Sequence, residues 1–372
     1  MRRRTGSASR HAGGNVAGAD PHRKTVSVTV LDERGGVLGT RHFKVSGVGY
    51  RAMWEWIQSF GPVSRFGIEN ATGIGRHTAM FLIERGVDVR DVCPTRTAEQ
   101  ARRRQQGKSD ELDATRIARE TLADPNLPTA FKRAGGDRGP DPVHEQILLW
   151  HKARRSLVKS RTHLLNEADH LLIELPLELR EELPRTSDVR RLLHALQKLD
   201  TTAYSDPVTR LRLRFLAEQT ARIDALDREE RAVARELTAL VTLSGSTLAE
   251  LRGIAARSAA ELLVEVGDPR RFTEGGFARF NGSAPLPCSS GEGAGEPVRH
   301  RFNPHGNRRV NCVLHHMALT QLRCDPRARQ LYDHARQRGH TKPEAMRVLK
   351  RRLSDVVYRR MIRDLEGAAR AA

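Results

Sequence analysis

The chain has 372 residues, of which 38% are hydrophobic and 29% are charged, and it holds no apolar run near the ~20 residues that cross a bilayer. This length affords two or three domains, each with a sizeable core. The 4 cysteines form no CxxC pair, so the sequence signals neither a disulfide framework nor a zinc site, and a reducing cytoplasm fits best.

Arginine dominates the charge of the chain. The 64 basic and 45 acidic residues leave a net charge of +19, and the basic residues divide into 55 arginines and 9 lysines. Residues 291–372 alone hold 18 basic and 8 acidic side chains. A planar guanidinium matches phosphate oxygens, so a polyanionic partner such as nucleic acid is expected, although a GC-rich genome also raises arginine content without a binding role.

The first 128 residues combine strand and helix patterns. Residues 1–14 predict a disordered basic tail, because the arginines at 2–4 are followed by no apolar segment of a secretory signal. Strands are predicted at 16–20, 25–31, 37–45, 65–69 and 87–92, with helices after Ser46 and over 73–85. The order of three strands, helix, strand, helix and strand matches a ribonuclease-H-like (RuvC-like) α/β domain over 15–128.

The middle of the chain, 129–243, is predicted to be a linker and a helical region. Prolines and glycines between 125 and 142 are typical of a linker. Apolar residues then recur at a spacing near 3.5 over 143–171 and 216–240, which predicts two long helices forming a coiled-coil hairpin, with one short helix near 187–199 between them. The long pair is either an antiparallel pair within one chain or a dimerising coiled coil, and the sequence leaves both open.

Residues 244–372 are predicted to form a mainly helical domain. Leu251–Asp268 predicts two short helices around a glycine turn, similar to a helix-hairpin-helix whose turn amides approach phosphates. Residues 281–297 are rich in glycine, serine and proline, and a strongly basic helical segment follows. The fold class expected for the whole chain is therefore α/β plus α.

Four carboxylates are the candidate catalytic groups. Asp20 and Glu69 each close a strand, and in a ribonuclease-H-like sheet these two strands lie side by side. Asp110 and Asp113, three apart at a helix start, share one helix face. Alone, acids at a helix start cap free amides, but four carboxylates together would repel unless divalent cations neutralised them. Two Mg²⁺ ions ~3.5–4 Å apart, with Mn²⁺ as an alternative, would suit phosphodiester cleavage.

A glycine-rich loop carries a candidate nucleophile. Ser289 and Ser290 lie in a segment whose composition alone indicates a flexible loop, and a serine hydroxyl attacks only beside a base, a metal or a cationic site. The arginines that follow are predicted nucleic-acid contacts, or else a solvated face: Arg299, Arg301, Arg308 and Arg309.

Short motifs in a fixed order resemble one protein family. These are Gly18-Ala-Asp20, Gly67-Ile-Glu69, Lys108-Ser-Asp110-Glu-Leu-Asp113, Asn281-Gly-Ser-Ala-Pro285, Ser290-Gly291 and Gly306-Asn307. In this order they are similar to the IS110 (Piv-like) family of DEDD transposases, RNA-guided serine recombinases of insertion sequences. Ala255 and Cys312 depart from the residues usual in that family.

The resemblance implies a function in the bacterial cytoplasm, at the nucleoid. Asp20, Glu69, Asp110 and Asp113 would form a RuvC-like metal site, and Ser290 would become covalently linked to DNA. The acids of one subunit would meet the serine of another in a dimer or tetramer, guided by an element-encoded structured RNA that pairs with the element ends and the target. The alternatives are a RuvC-like junction endonuclease that uses water, and a catalytically inactive basic nucleic-acid-binding protein.

Overall fold

The computed structural model describes residues 14–92, 110–125, 127–131, 141–287, 300–301 and 303–371. The chain divides into two compact units, Met1–Asp141 and Pro142–Ala372. No helix within these described ranges is long and apolar enough to cross a membrane. The basic tail predicted at the N-terminus lies outside the described residues, apart from Gly14.

The first unit is built on a five-stranded mixed sheet. Its strands are β1 (Asn15–Pro21), β2 (Thr25–Leu31), β3 (Val37–Lys44), β4 (Val63–Glu69) and β5 (Val89–Val92). They lie in the order β3-β2-β1-β4-β5. The first three strands are antiparallel, whereas β4 runs parallel to both β1 and β5. The strands predicted from the sequence are confirmed, and so is the expectation that the first and fourth lie side by side.

One face of this sheet packs on two helices, α1 (Gly47–Gln58) and α2 (Arg76–Ile83). The hydroxyl of Ser46 caps α1 as predicted, because its Oγ accepts the amide of Gly49 at 3.1 Å. The three alternating valines of β2 face this side and share one buried cluster with Met53 and Ile57 of α1. Helix α2 is shorter than the predicted 73–85, since the amides of Gly73 and Gly75 both donate to the carbonyl of Asn70 in a turn.

The other face is covered by α3 (Asp110–Ala123) at unusually short range. A Cβ atom placed on Gly18 would lie 2.2 Å from the backbone nitrogen of Ala118, and one on Gly67 would lie 1.8 Å from the Oγ1 of Thr121. Glycine is therefore required at both positions, because α3 rests on the main chain of β1 and β4. Ser27 and Thr29 of β2 are fully buried beneath the same helix face.

The boundary of the first unit lies beyond the predicted residue 128. The amide of Asp91 donates to the carbonyl of Pro128 at 2.8 Å, and that of Ala130 donates to Val89 at 2.9 Å. Ala130 and Phe131 are buried in the same core as the sheet. Residues 129–131, predicted as the start of a linker, therefore pair with the edge strand β5, while 132–140 lie outside the described residues.

The second unit begins with two long helices, α4 (Pro142–Ile173) and α7 (Pro207–Leu243), joined through α5 (Leu177–Glu181) and α6 (Val189–Leu196). Ile147, early in α4, shares a buried cluster with Leu237, late in α7, whereas Ala168 shares another with Leu216. The helices are therefore antiparallel, as the hairpin prediction requires. Coiled-coil packing between them remains a prediction.

The rest of the unit is helical, with one short strand pair. It contains 3₁₀ turns at Leu248–Glu250 and Pro269–Arg271, helices α8 (Ala256–Val266), α9 (Glu274–Phe280), α10 (Arg308–Cys324), α11 (Pro326–Gln337) and α12 (Lys342–Ala371), and strands β6 (Leu286–Pro287) and β7 (His300–Arg301). One buried cluster joins Leu237 of α7 to Phe277 and Val310. The predicted division at 243/244 therefore does not separate two cores.

The predicted helix-hairpin-helix is only half formed. Its second helix is α8, but residues 251–255 form no α-helix, and the nearest helical turn before them is the 3₁₀ turn at Leu248–Glu250, just ahead of the predicted segment. A Cβ on Gly253, the turn glycine, would lie 2.9 Å from the Cα of Met317 in α10. Packing against α10 thus accounts for this glycine, without a phosphate contact.

Candidate active site

Asp20 and Glu69 lie next to each other at the carboxyl ends of β1 and β4. The last registered pair of these strands is Ala19 with Ile68, so the following residues on each strand are Asp20 and Glu69. Neighbouring strands are about 4.8 Å apart, and residues paired in this way point to the same face. Asp20 has a side chain only 17% exposed, and Glu69 is half-buried. Two carboxylates are thus held at one edge of the sheet, on the face that α3 covers.

The middle of α3 is fixed over the centre of β1. Gly18 is registered with Thr29 of β2, whose Oγ1 lies 3.1 Å from the Oγ1 of Thr115. A Cβ on Gly18 would also lie 2.8 Å from the carbonyl oxygen of Ala114. Residues 114–118 of α3 therefore sit level with Gly18.

A second set of contacts fixes the first turn of α3 at the level of Asp20. Asp20 is registered with Ser27, and Ser27 with His42. The Oγ of Ser27 lies 2.7 Å from the Nδ1 of His42, and the Nε2 of that ring lies 3.2 Å from the Oε1 of Glu111. From Gly18 to Asp20, β1 advances by two residues, or about 6.6 Å, while the facing part of α3 goes back by one turn, or about 5.4 Å, from Thr115 to Glu111. Helix α3 runs antiparallel to β1, and its first turn ends beside the carboxylate edge.

Two of the predicted acids lie in this first turn. Asp110 is the first residue of α3, and its side chain lies outside the description. The Oδ1 of Asp113 accepts the Nη1 of Arg116 at 2.5 Å. The Arg116 side chain is only 7% exposed, and its Nε and Nη2 have no hydrogen-bond partner among the described residues. A buried guanidinium thus compensates the charge of Asp113, and no sequence pattern had singled out Arg116.

A histidine lies beside Asp20, and the chain turns sharply after Glu69. The Nε2 of His22, on the exposed turn after β1, lies 3.3 Å from the Oδ2 of Asp20. Asn70 follows Glu69 with a φ of 54°, which turns the chain sharply out of the sheet. Among the described residues no group of three or more His, Cys, Asp or Glu side chains is placed to hold a metal ion. The side chain of Asp110 is not among those described.

The serine-bearing segment is bracketed by a strand pair. Leu286 is registered with Arg301, and Pro287 with His300, so β6 and β7 are antiparallel neighbours. Ser289, Ser290 and Arg299 fall within 288–299, outside the described residues. The two chain ends that flank this segment are thus held side by side.

The motif residues around this strand pair form a packed frame. The Nδ2 of Asn281 donates to the Oγ of Ser354 at 2.8 Å, and the carbonyl of Asn281 accepts the Nδ2 of Asn311 at 2.7 Å. A Cβ on Gly306 would lie 2.3 Å from the Cα of Gly282, so the two glycine motifs touch through their main chains. Asn281 and Ser354 are fully buried. These motifs are therefore explained by packing.

The arginines predicted to contact nucleic acid differ in side-chain exposure and in whether they already form an ion pair. Arg308 is exposed at the first residue of α10, next to the N-cap Asn307. Arg309 is instead paired through its Nη1 with Glu265 of α8, and its side chain is 46% exposed. Arg301 lies in β7, but its side chain is outside the description.

Comparisons with known proteins agree with both halves of the chain. Residues 17–175 match the model of IS110-type DEDD transposases, described as "Transposase", and residues 245–333 match the model described as "Transposase IS116/IS110/IS902 family". The chain is 32% identical over 146 residues to the "Insertion element IS110 uncharacterized 43.6 kDa protein" of Streptomyces coelicolor. That alignment covers 38% of this chain and 35% of the relative, so the matched part spans about a third of that relative's length.

The segment with the mixed sheet and its carboxylate edge is thus similar to DEDD transposases, and part of the helical second unit is similar to the IS116/IS110/IS902 transposase family. More narrowly, both matched segments correspond to domains of IS110-family transposases, the family that the sequence motifs predicted.

Proposed function

We propose that this protein is a metal-dependent DNA transposase that moves its own insertion sequence through a four-carboxylate site and a serine nucleophile. The observation that carries the proposal is the pairing of Asp20 and Glu69 at the end of β1 and β4, under the first turn of α3. The order β3-β2-β1-β4-β5, with three antiparallel strands followed by two parallel ones, favours a ribonuclease-H-like domain.

The donor set fits divalent metal ions. Carboxylate oxygens are the hard ligands that Mg²⁺ and Mn²⁺ prefer, and Asp20, Glu69, Asp110 and Asp113 would hold them. When bound, such ions supply Lewis-acid polarisation of the scissile phosphate. The charge-assisted hydrogen bond from Arg116 orients the Asp113 carboxylate. The hydrogen bond between His42 and Glu111 holds the first turn of α3, and with it both aspartates, against the sheet.

The serine completes the chemistry. The Oγ of Ser290 loses its proton and attacks the scissile phosphorus, so that a phosphoserine ester forms as the P–O bond to the other strand end breaks and that end leaves as a hydroxyl. In strand exchange the hydroxyl of a new strand end attacks this ester, which forms the new phosphodiester and returns the serine hydroxyl. The acids of one copy act with the serine of another copy, in a dimer or tetramer. A structured RNA encoded by the element selects the sequence by base pairing, while the net charge of +19 supplies affinity for both nucleic-acid backbones.

The acidic site is tested by single charge removals in the full chain. We expect Asp20→Asn and Asp110→Asn to abolish cleavage of element-end DNA while binding of the same DNA is unchanged. Glu55→Gln, an exposed carboxylate on α1, is the matched control and should cleave normally. Full cleavage by Asp110→Asn would refute the metal role.

The serine is tested by trapping its adduct. A protein–DNA species that survives denaturation, and that disappears in Ser290→Ala, separates the transposase from a junction endonuclease that uses water. Cleavage with no adduct would establish the endonuclease. No cleavage with Mg²⁺ or Mn²⁺ under any guide RNA would instead favour an inactive nucleic-acid-binding protein.

A further inference from the structure

A basic pocket lies in the second unit, between three helices. It has a volume of about 440 Å³, and α4, α8 and α10 contribute its walls. Its charged and polar lining comprises Arg154, Arg155, Arg257, Ser258, Glu261, Arg309 and His316. We call this the arginine pocket. Apart from Arg309, none of these side chains was predicted as a functional residue from the sequence.

The arginine pocket carries an excess of positive charge at short range. Its one lining carboxylate, Glu261, is committed to the buried His151, whose Nε2 lies 3.3 Å away. Although burial raises the pKa of Glu261, the hydrogen bond and charge of His151 and the charges of Arg309 and Arg155 lower it overall. Glu261 is therefore ionised. Glu230 pairs with Arg154 and Arg257, and Glu265 pairs with Arg309, so the four guanidinium groups exceed these three carboxylates by one charge.

Buried carboxylates hold two of these arginines in place. The Oε1 of Glu230 accepts the Nε of Arg154 at 2.6 Å, and its Oε2 lies 3.5 Å from the Nη2 of Arg257. Glu230 is only 8% exposed in its side chain, so it acts as a fixed anchor under both arginines. Each guanidinium still has further N–H groups for a second acceptor. Arg155 is exposed and forms no ion pair or hydrogen bond with the described residues.

The first turn of α8 lines the same pocket through Arg257 and Ser258. Its N-cap residue, Ala255, offers no side-chain acceptor, and its first turn contains no acid. The first amides of a helix lack partners within it, and the helix dipole attracts negative charge there. Arg257 and Ser258 occupy this first turn. Amides, a hydroxyl and guanidinium groups that converge in this way match a phosphate group.

We propose that the arginine pocket binds a phosphate of a nucleic-acid backbone. Among the described residues the lining has no Phe, Tyr or Trp ring on which a base could stack, which favours a site that reads the backbone and not the bases. The net charge of +19 favours a polyanion over a small free anion. The inference rests on the proposed function only in taking nucleic acid as the partner.

The test is a binding titration with the full-length chain in a chelator, so that cleavage plays no part. Duplex DNA and duplex RNA of arbitrary sequence are titrated over a range of salt concentrations by fluorescence anisotropy. In Arg155→Ala, affinity should fall several-fold, and the slope of log K against log salt should become less negative by about 0.9, the loss of one phosphate contact. Arg257→Ala should act in the same direction. Arg222→Ala, an exposed arginine on α7, is the control.

The two nucleic acids and a free-anion probe identify the source of the phosphate. A changed slope with DNA, with RNA or with both supports the proposal and names the backbone. Unchanged slopes in both pocket variants, or an equal change in Arg222→Ala, would overturn it. So would inorganic phosphate that competes at the low concentrations at which the duplex binds. Cleavage by Asp110→Asn tests the acidic site alone, whereas the salt slopes of Arg155→Ala and Arg257→Ala test the arginine pocket alone. The two proposals can therefore fail separately.

Discussion

Glycine at position 18 sets how closely α3 approaches the sheet, and so where the first-turn aspartates lie. An added methyl group in Gly18→Ala would sit 2.2 Å from the backbone of Ala118 and must displace the helix. We expect a loss of about 1–3 kcal/mol in the free energy of unfolding, measured by urea denaturation, with loss of cleavage. Gly275→Ala, on α9 with nothing within 4 Å of the new atom, is the control. Equal stability of the two variants would show that α3 is not held by main-chain contact.

The ion pair between Asp113 and the buried Arg116 should contribute to the stability of the first unit. Asp113→Asn removes the carboxylate that compensates a guanidinium only 7% exposed, so the variant should lose about 3–5 kcal/mol of stability. Adding Arg116→Met should restore part of that loss, because the buried charge is then gone. A double-mutant cycle in urea measures the coupling. Additive effects of the two substitutions would contradict the pairing.

At the scale of the element, a buried carboxylate ties the long helices of the second unit together. Asp227 of α7 binds the Nη1 of Arg161 on α4 at 2.8 Å and the Nη1 of Arg190 on α6 at 2.7 Å. Burial raises the pKa of Asp227, but the hydrogen bonds and charges of the two arginines lower it below the usual value overall. Three helices are thus fixed by one side chain.

The depressed pKa of Asp227 gives a pH prediction with a definite sign. The folded state releases this proton more readily than the unfolded state does, so the stabilisation is complete above the unfolded pKa, near 3.8, and is lost as the pH falls through the lower folded pKa. In urea at pH 7, Asp227→Asn should lose about 1–3 kcal/mol, and less near pH 3. Asp224→Asn, whose partner His194 is 3.5 Å away and exposed, should lose little at either pH. Parallel pH curves for wild type and Asp227→Asn would contradict this assignment.

At the scale of the whole molecule, the two units have separate hydrophobic cores. Phe66 is fully buried in the core of the first unit, and Phe277 in that of the second. We therefore expect two calorimetric transitions, with Phe66→Leu lowering the midpoint of one and Phe277→Leu that of the other. A single transition shifted by both substitutions would show that the units unfold together.

Local patterns in the sequence were enough to predict much of the first unit. Alternating valines and polar residues placed β2, the hydroxyl of Ser46 marked the start of α1, and acids at strand ends placed Asp20 and Glu69 together. These signals are local because strand alternation and helix capping depend on near neighbours in the chain. The metal and nucleophile roles remain predictions.

Features that depend on distant residues were not predictable in this way. Residues 129–131 join the sheet through backbone bonds to β5, which a proline- and glycine-rich composition does not reveal. Arg116 and the arginine pocket look like any other arginines in a chain that has 55 of them. Only the fold shows that Arg154 and Arg257 share one buried glutamate, 76 residues from Arg154 along the chain.

The close seating of α3 has a consequence for insertions and deletions. Contacts with the sheet fix the position of α3, through Gly18, Gly67 and the hydrogen bond between Thr29 and Thr115. The length of the stretch 93–109 therefore does not determine where the helix lies. As a general rule, doubling the length of a chain segment raises the entropic cost of closing it by only about 0.6 kcal/mol. Related chains could therefore gain or lose residues there, and even acquire new binding segments, while the acids keep their places.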